Sequence, residues 1–246
     1  PAQGINAVRW LALLAGALLA ILAVVILWHT GVVEPPESVP RTIAALSALY
    51  PRSIRNADID RIPCPPLRRL RLYVVCTAAC EDTWVIVGVR GLWPDNLANL
   101  GRLPPQPVEE SRRRIAGAVA AEAMSLDRQG ARDMIACYLR LEGLLPELVL
   151  APADLVALEA ARGNEEEMKR LAEGLDTLDA LSRIDPEETG DSFRARLFYW
   201  DTSRPGRPVL ELDFTLERNG VVRSLDARQS LRGGSVSGST PGTPRS

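Results

Sequence analysis

The sequence predicts an α+β protein: a single N-terminal transmembrane helix followed by one extracytoplasmic domain with a mainly antiparallel sheet and a layer of about four helices. Three observations predict it. Trp10 to Trp28 is a 19-residue apolar run without a charge. Residues 209–217 alternate apolar with polar side chains and lead into Asn219-Gly220, a strand-and-hairpin signature. Between residues 108 and 183, apolar side chains recur at helical spacing.

The apolar run, WLALLAGALLAILAVVILW, approaches the roughly 20 residues that span a bilayer core. Its backbone can satisfy its hydrogen bonds in lipid only as a helix. Trp10 and Trp28 stand where interfacial anchors belong. No small-residue cleavage pattern follows, so the segment reads as a retained anchor and not a signal peptide. Arg9 precedes the run, and Glu34 and Glu37 follow it. The positive-inside tendency then places residues 1–9 in the cytoplasm and the bulk outside, as in a single-pass protein of a bacterial inner membrane facing the periplasm. Ala15, Gly16, Ala17 and Ala20 form a small-residue patch of the kind that lets helices pack closely in lipid.

The expected organisation is residues 1–9 inside, 10–28 transmembrane, 29–48 a linker with a short helix, 49–230 the outer domain and 231–246 a disordered tail. Pro35-Pro36 stiffens the linker. Ser38 opens a short helix with Ile43, Leu46 and Leu49 on one face. Residues 51–69 read as a proline- and arginine-rich connector. Its Arg52, Arg55, Arg61, Arg68 and Arg69 are a candidate contact for anionic headgroups or an acidic partner.

Residues 70–76 and 83–89 are rich in Val, Ile, Tyr and Trp and read as strands, the second covered on both faces. A long loop follows to Pro107. Helices are expected over 108–127 (Ile115, Val119, Ala123, Leu126), 129–142 (Met134, Ile135, Tyr138, Leu139), 152–161 and 165–183. Strands return at 193–201, 209–218 and 221–225. In the Asn219-Gly220 hairpin, Phe214 is expected opposite Leu225 and Leu216 opposite Arg223. The tail GGSVSGSTPGTPRS is too poor in apolar residues to fold alone.

Composition narrows the chemistry. The net charge is −2, and no basic stretch has the extent of a nucleic-acid footprint. Lys169 is the single lysine, an arginine bias typical of a GC-rich bacterial genome. Cys64, Cys76, Cys80 and Cys137 make an even count that favours disulfides in an oxidising exterior. Four cysteines permit three pairings, and sequence does not choose among them. The three-residue gap between Cys76 and Cys80 is not the usual redox spacing, and a four-cysteine metal site would want a second short-gap pair.

The single histidine, His29, lies at the end of the apolar run. The outer domain therefore lacks Ser-His-Asp and Cys-His nucleophile systems and histidine-ligated metals. No phosphate loop or haem motif occurs, and no cofactor is expected. The expected function is a non-enzymatic accessory, assembly or scaffold subunit of a bacterial membrane protein complex. Its partners would be the membrane and integral subunits of a photosynthetic, respiratory or secretion assembly. Two alternatives carry chemistry. One is a carbohydrate-cleaving enzyme with paired carboxylates, such as Glu81-Asp82 or Asp185-Glu187-Glu188. The other is a thiol-disulfide protein using Cys76 and Cys80.

Overall fold

The structure, a computed structural model, describes residues 2–30, 33, 35–49, 58–76, 84–99, 108–161, 164–175, 180–202 and 208–229. It is α+β, with two antiparallel sheets and, among the described residues, six α-helices.

Alanine and leucine, the strongest helix formers, dominate the first element, α1 (Ala2–Thr30). The expectation of a transmembrane span is corrected here: among the described residues no helix is long and apolar enough to cross a membrane. The single-pass inner-membrane placement falls with the span. Trp10 is 67% exposed, whereas Trp28 is half-buried in a small hollow with Pro35, Arg68 and Arg71.

The first sheet has the order β1 (Asp58–Ile62), β2 (Leu70–Cys76), β3 (Trp84–Arg90), β4 (Trp93–Asn99). Strands β2 and β3 are the expected pair. Strands β1 and β4 fall in segments read as connector and loop, because Asp58-Ile-Asp-Arg and Pro94-Asp-Asn are poor strand formers that pairing to a neighbour overrides. Both faces are covered, as the pattern of β3 implied. On the outer face α2 (Ser38–Leu49) packs on Tyr73, Val75, Val87 and Val89. It does so through Ala44, with Ile43 and Ala48 beside it, and not through Leu46, which is 47% exposed. The small alanines let the helix lie close to the valine surface; of the expected face Ile43 takes part, Leu46 does not, and the Leu49 side chain lies outside the description.

The second sheet has the order β5 (Val149–Leu150), β7 (Ser192–Trp200), β8 (Val209–Glu217), β9 (Val222–Gln229), with β6 (Glu187–Thr189) on part of β7. The strands expected as one sheet thus belong to two. Phe193, Ala195, Leu197 and Tyr199 of β7 and Leu212, Phe214 and Leu216 of β8 are buried on one face, while Arg194 and Arg196 are in solvent. Phe214 stands opposite Leu225 as expected, but Leu216 stands opposite Val222 and not Arg223, because a bulge at Thr215/Leu216 shifts the register. Gly220 supplies the positive φ of 86° that the turn requires.

Between the sheets lies α4 (Arg128–Leu141), whose Met134, Ile135 and Leu139 are completely buried. The Asp127 carboxylate caps it by accepting from the Gly130 amide at 2.7 Å. Gly143, at φ 76°, ends it, and the Leu144 amide donates back to the Leu139 carbonyl. Sheet one contributes Leu72, Ile86 and Leu97 to this core, and sheet two Phe193, Phe214 and Leu216. The helix α3 (Val108–Ala120) completes the layer through Ile115 and Val119. It stops seven residues before the expected Asp127, since 127 − 120 = 7. Two arginines, Arg90 of β3 and Arg69 just before β2, take carbonyls at and just past its end: Arg90 donates to Ala118 at 2.8 Å and Arg69 to Glu122 at 3.2 Å. Ala123 then turns the chain at a positive φ of 50°. The last helices, α5 (Pro152–Ala160) and α6 (Glu165–Leu175), pack Leu158, Met168 and Leu171 around Trp200. The stripe expected to continue to Arg183 resumes as a 3-10 turn, Ala180–Arg183.

Candidate functional site

The cysteines resolve one of the three pairings. Cys64, in the turn after β1, is bonded to the buried Cys137 of α4, with Cα atoms 5.2 Å apart. The bond fastens the first sheet to the central helix. Cys76 is also disulfide-bonded, and Cys80 lies outside the described residues.

The five arginines of the basic connector do not form one patch among the described residues. Arg52 and Arg55 lie outside them. Arg61 reaches the Glu37 carboxylate at 3.2 Å. Arg69 is engaged with the end of α3, and Arg68 remains exposed. Glu37 is the centre of a small polar knot missed by sequence reasoning. It accepts from the Tyr73 hydroxyl at 2.8 Å and from Arg71 at 3.4 Å. Burial, and then the hydrogen bond to Glu37, push the Tyr73 hydroxyl up to about 12. The knot ties the linker at Pro35 and Glu37 to sheet one.

A second knot centres on Glu122, whose side chain is buried. Its Oε2 accepts from the Arg69 amide at 2.9 Å, and its Oε1 lies 3.3 Å from Arg90. Burying this carboxylate is tolerable because two guanidinium groups compensate it. Proximity in the fold, not in sequence, makes both knots, so no local motif announces them.

Of the carboxylates considered as a hydrolytic pair, Glu81 and Asp82 lie outside the described residues. Asp185 accepts from Arg128, and Glu188 is ion-paired with Arg218. Glu187 is exposed on β6. Lys169 is exposed on α6, 3.9 Å from Glu173. Within the small-residue patch of α1, a side chain added at Gly16 would meet nothing within 4 Å, so this surface is open in the isolated chain.

Two larger concavities are found among the described residues. One, near 760 Å³, lies beside Glu122 and the start of α4, between Arg68 and Asp133. The other, about 470 Å³, is a cleft between α3, α4 and the start of β9. Ile115, Ala116, Leu141 and Leu225 give it an apolar lining, and the Arg112–Glu142 ion pair, at 2.9 Å, lines it as well. The buried Tyr138 also lines it. Its hydroxyl has no hydrogen-bond partner of good geometry among the described residues. Burial pushes this hydroxyl well above its ordinary pKa; the adjoining Val222 backbone opposes that rise and the Glu142 charge adds to it. Tyr138 therefore remains a protonated donor at any physiological pH.

No protein-family model, curated protein or solved structure matches this chain.

Proposed function

We propose that the chain is a non-enzymatic binding protein, an accessory, assembly or scaffold subunit of a larger protein complex. The observation that carries this reading is the surface of α1. Leu11, Leu13, Leu18, Leu19 and Ile21 are each more than 60% exposed, and apolar residues surround the helix on every side. A helix apolar all round is stable only when it is surrounded. An uncovered apolar surface of this size marks an interaction site.

Two further features support the reading. The Glu37 knot holds the linker that follows α1 against a folded domain. The domain's ion pairs, such as Arg112–Glu142 and Arg194–Asp213, tie its own elements together.

The test is purification of the tagged full chain from its source cell in a non-ionic detergent, followed by native mass measurement. The expected result is a complex containing the chain and one or more other polypeptides in fixed ratio. Recovery of the chain alone, or as a self-sufficient hydrolase or thiol oxidoreductase, would overturn the proposal.

A further inference from the structure

The chain has six asparagines, and Asn219 is the one followed by glycine. Asparagine is a labile residue because a backbone nitrogen can attack its side-chain carbonyl carbon. A following glycine presents that nitrogen without a side chain to obstruct it. The other five asparagines are followed by alanine, leucine or glutamate.

In the hairpin both reacting groups are engaged. The Glu217 amide donates to the Val221 carbonyl at 2.8 Å and closes the loop. Inside it the Gly220 amide, the attacking group, donates to the Glu217 carbonyl at 2.9 Å. Gly220 is buried, and a Cβ added there would stand 2.9 Å from the Met124 sulfur and 3.2 Å from Val119. The Asn219 carboxamide is held at both ends. Its Oδ1 accepts from the Val221 amide at 2.9 Å, and its Nδ2 donates to a Glu217 oxygen at 3.2 Å. The other Glu217 oxygen accepts from Arg223 at 3.2 Å. Solvent base therefore meets the Gly220 proton inside a hydrogen bond, and the carboxamide turns towards that nitrogen only by breaking two more. The loop is also tied to the segment after α3, since the Leu126 amide donates to the Arg218 carbonyl at 2.8 Å.

We propose that Asn219 is a deamidation site that the hairpin keeps closed, and that its modification loosens the joint between this hairpin and the end of α3. When the loop opens, base removes the Gly220 amide proton and the nitrogen bonds to Asn219 Cγ. The Cγ–Nδ2 bond breaks, and the leaving nitrogen takes up a proton and departs as ammonia. Water then opens the five-membered imide at either carbonyl. The products are an aspartate, or its isomer with the main chain running through the side-chain carboxyl. Either product loses the donor to Glu217 and sets a carboxylate against a carboxylate across the turn, with Arg223 left to compensate both. The isomer also lengthens a loop whose closing bonds fit its present length. Modification thus hinders reclosing.

The test incubates the full chain in mildly alkaline buffer with non-ionic detergent, folded or unfolded in guanidinium chloride, and follows ammonia release and peptide mass. The unfolded chain should deamidate first at Asn219. The folded chain should do so at least about tenfold more slowly, the factor that a local opening cost of about 1.4 kcal/mol gives. Equal rates, or earlier modification of another asparagine, would overturn the proposal. The consequence is read with Asn219→Asp, which should lower Tm and quicken amide exchange at Leu126 and over 217–223. Adding Glu217→Gln, which removes the facing charge, should recover part of the loss. An Asn219→Asp chain with wild-type Tm and exchange would overturn the proposed loosening. If that variant fails to fold, the same exchange is measured on wild-type chain deamidated after folding, where unchanged exchange would overturn it equally.

Discussion

Replacing both Cys64 and Cys137 by alanine tests how the two sheets are held together. The bond spans 73 residues and joins the turn after β1 to the buried face of α4. On the chain-entropy account, closing a loop of that length lowers unfolded-state entropy by about 15 cal/mol/K, or about 4.4 kcal/mol at 25 °C. Alanine leaves a small cavity at Cys137, which is completely buried, and adds about 1 kcal/mol. The double variant should therefore be about 5 kcal/mol less stable. Urea unfolding followed by tryptophan fluorescence measures this directly. Trp200 is fully buried and reports on the second sheet. The midpoint should move by ΔΔG divided by m, several molar for a domain near 2 kcal/mol/M. A loss below about 1 kcal/mol would refute the reasoning. It would mean that the core already positions α4 against sheet one and that the unfolded chain is compact without the bond.

Other substitutions probe the remaining joints. Phe214→Ala, at a fully buried position between sheet two and α4, should cost about 3–5 kcal/mol in the same assay, against about 0.5 for Glu217→Ala on the wet face. Glu122→Ala strands Arg69 and Arg90 at the end of α3 and should cost about 3 kcal/mol, with amide exchange quickening first in 115–120. The Tyr73 hydroxyl titrates near 10 unfolded and near 12 folded, so the folded state keeps its proton longer. Its contribution is complete below pH 10 and is lost as pH rises from 10 towards 12, which stability measurements across that window should show. Glu37→Ala removes the hydrogen bond and the negative charge that help raise this value, and phenolate absorbance should then appear at lower pH.

What sequence reveals here follows from the range of the interaction. The face of β7, the alternation of β8, the Phe214–Leu225 pairing and the buried side of α4 are set by local periodicity, and each is seen in the structure. Misreadings occur where distant contacts decide. The end of helix α3 is met by Arg69 and Arg90, which arrive from a distant part of the chain. Strands β1 and β4 form from unpromising sequence because β2 and β3 offer edges to pair with. The bulge at Thr215/Leu216 moves Leu216 from Arg223 to Val222. The membrane reading of α1 rested on a run of residue types, and among the described residues that run does not provide a helix long and apolar enough to cross. The candidate site was the least legible part. The α3, α4 and β9 cleft joins residues from 109 to 226, and its polar feature, the Tyr138 hydroxyl, looks in sequence like one more buried aromatic.

The account's central claim is that this is a binding subunit whose apolar helix is covered by partners. The most direct measurement compares wild-type chain with a variant in which Leu14, Leu18 and Leu22 of α1 are replaced by glutamine. Both are tagged, purified from the source cell under the same non-ionic detergent, and weighed by native mass spectrometry. All three leucines are more than 50% exposed, so the folded domain should be unaffected and its Tm unchanged. The account predicts a defined complex for wild type and a free chain for the variant. The same partner-free mass for both proteins, with the domain intact, would contradict it.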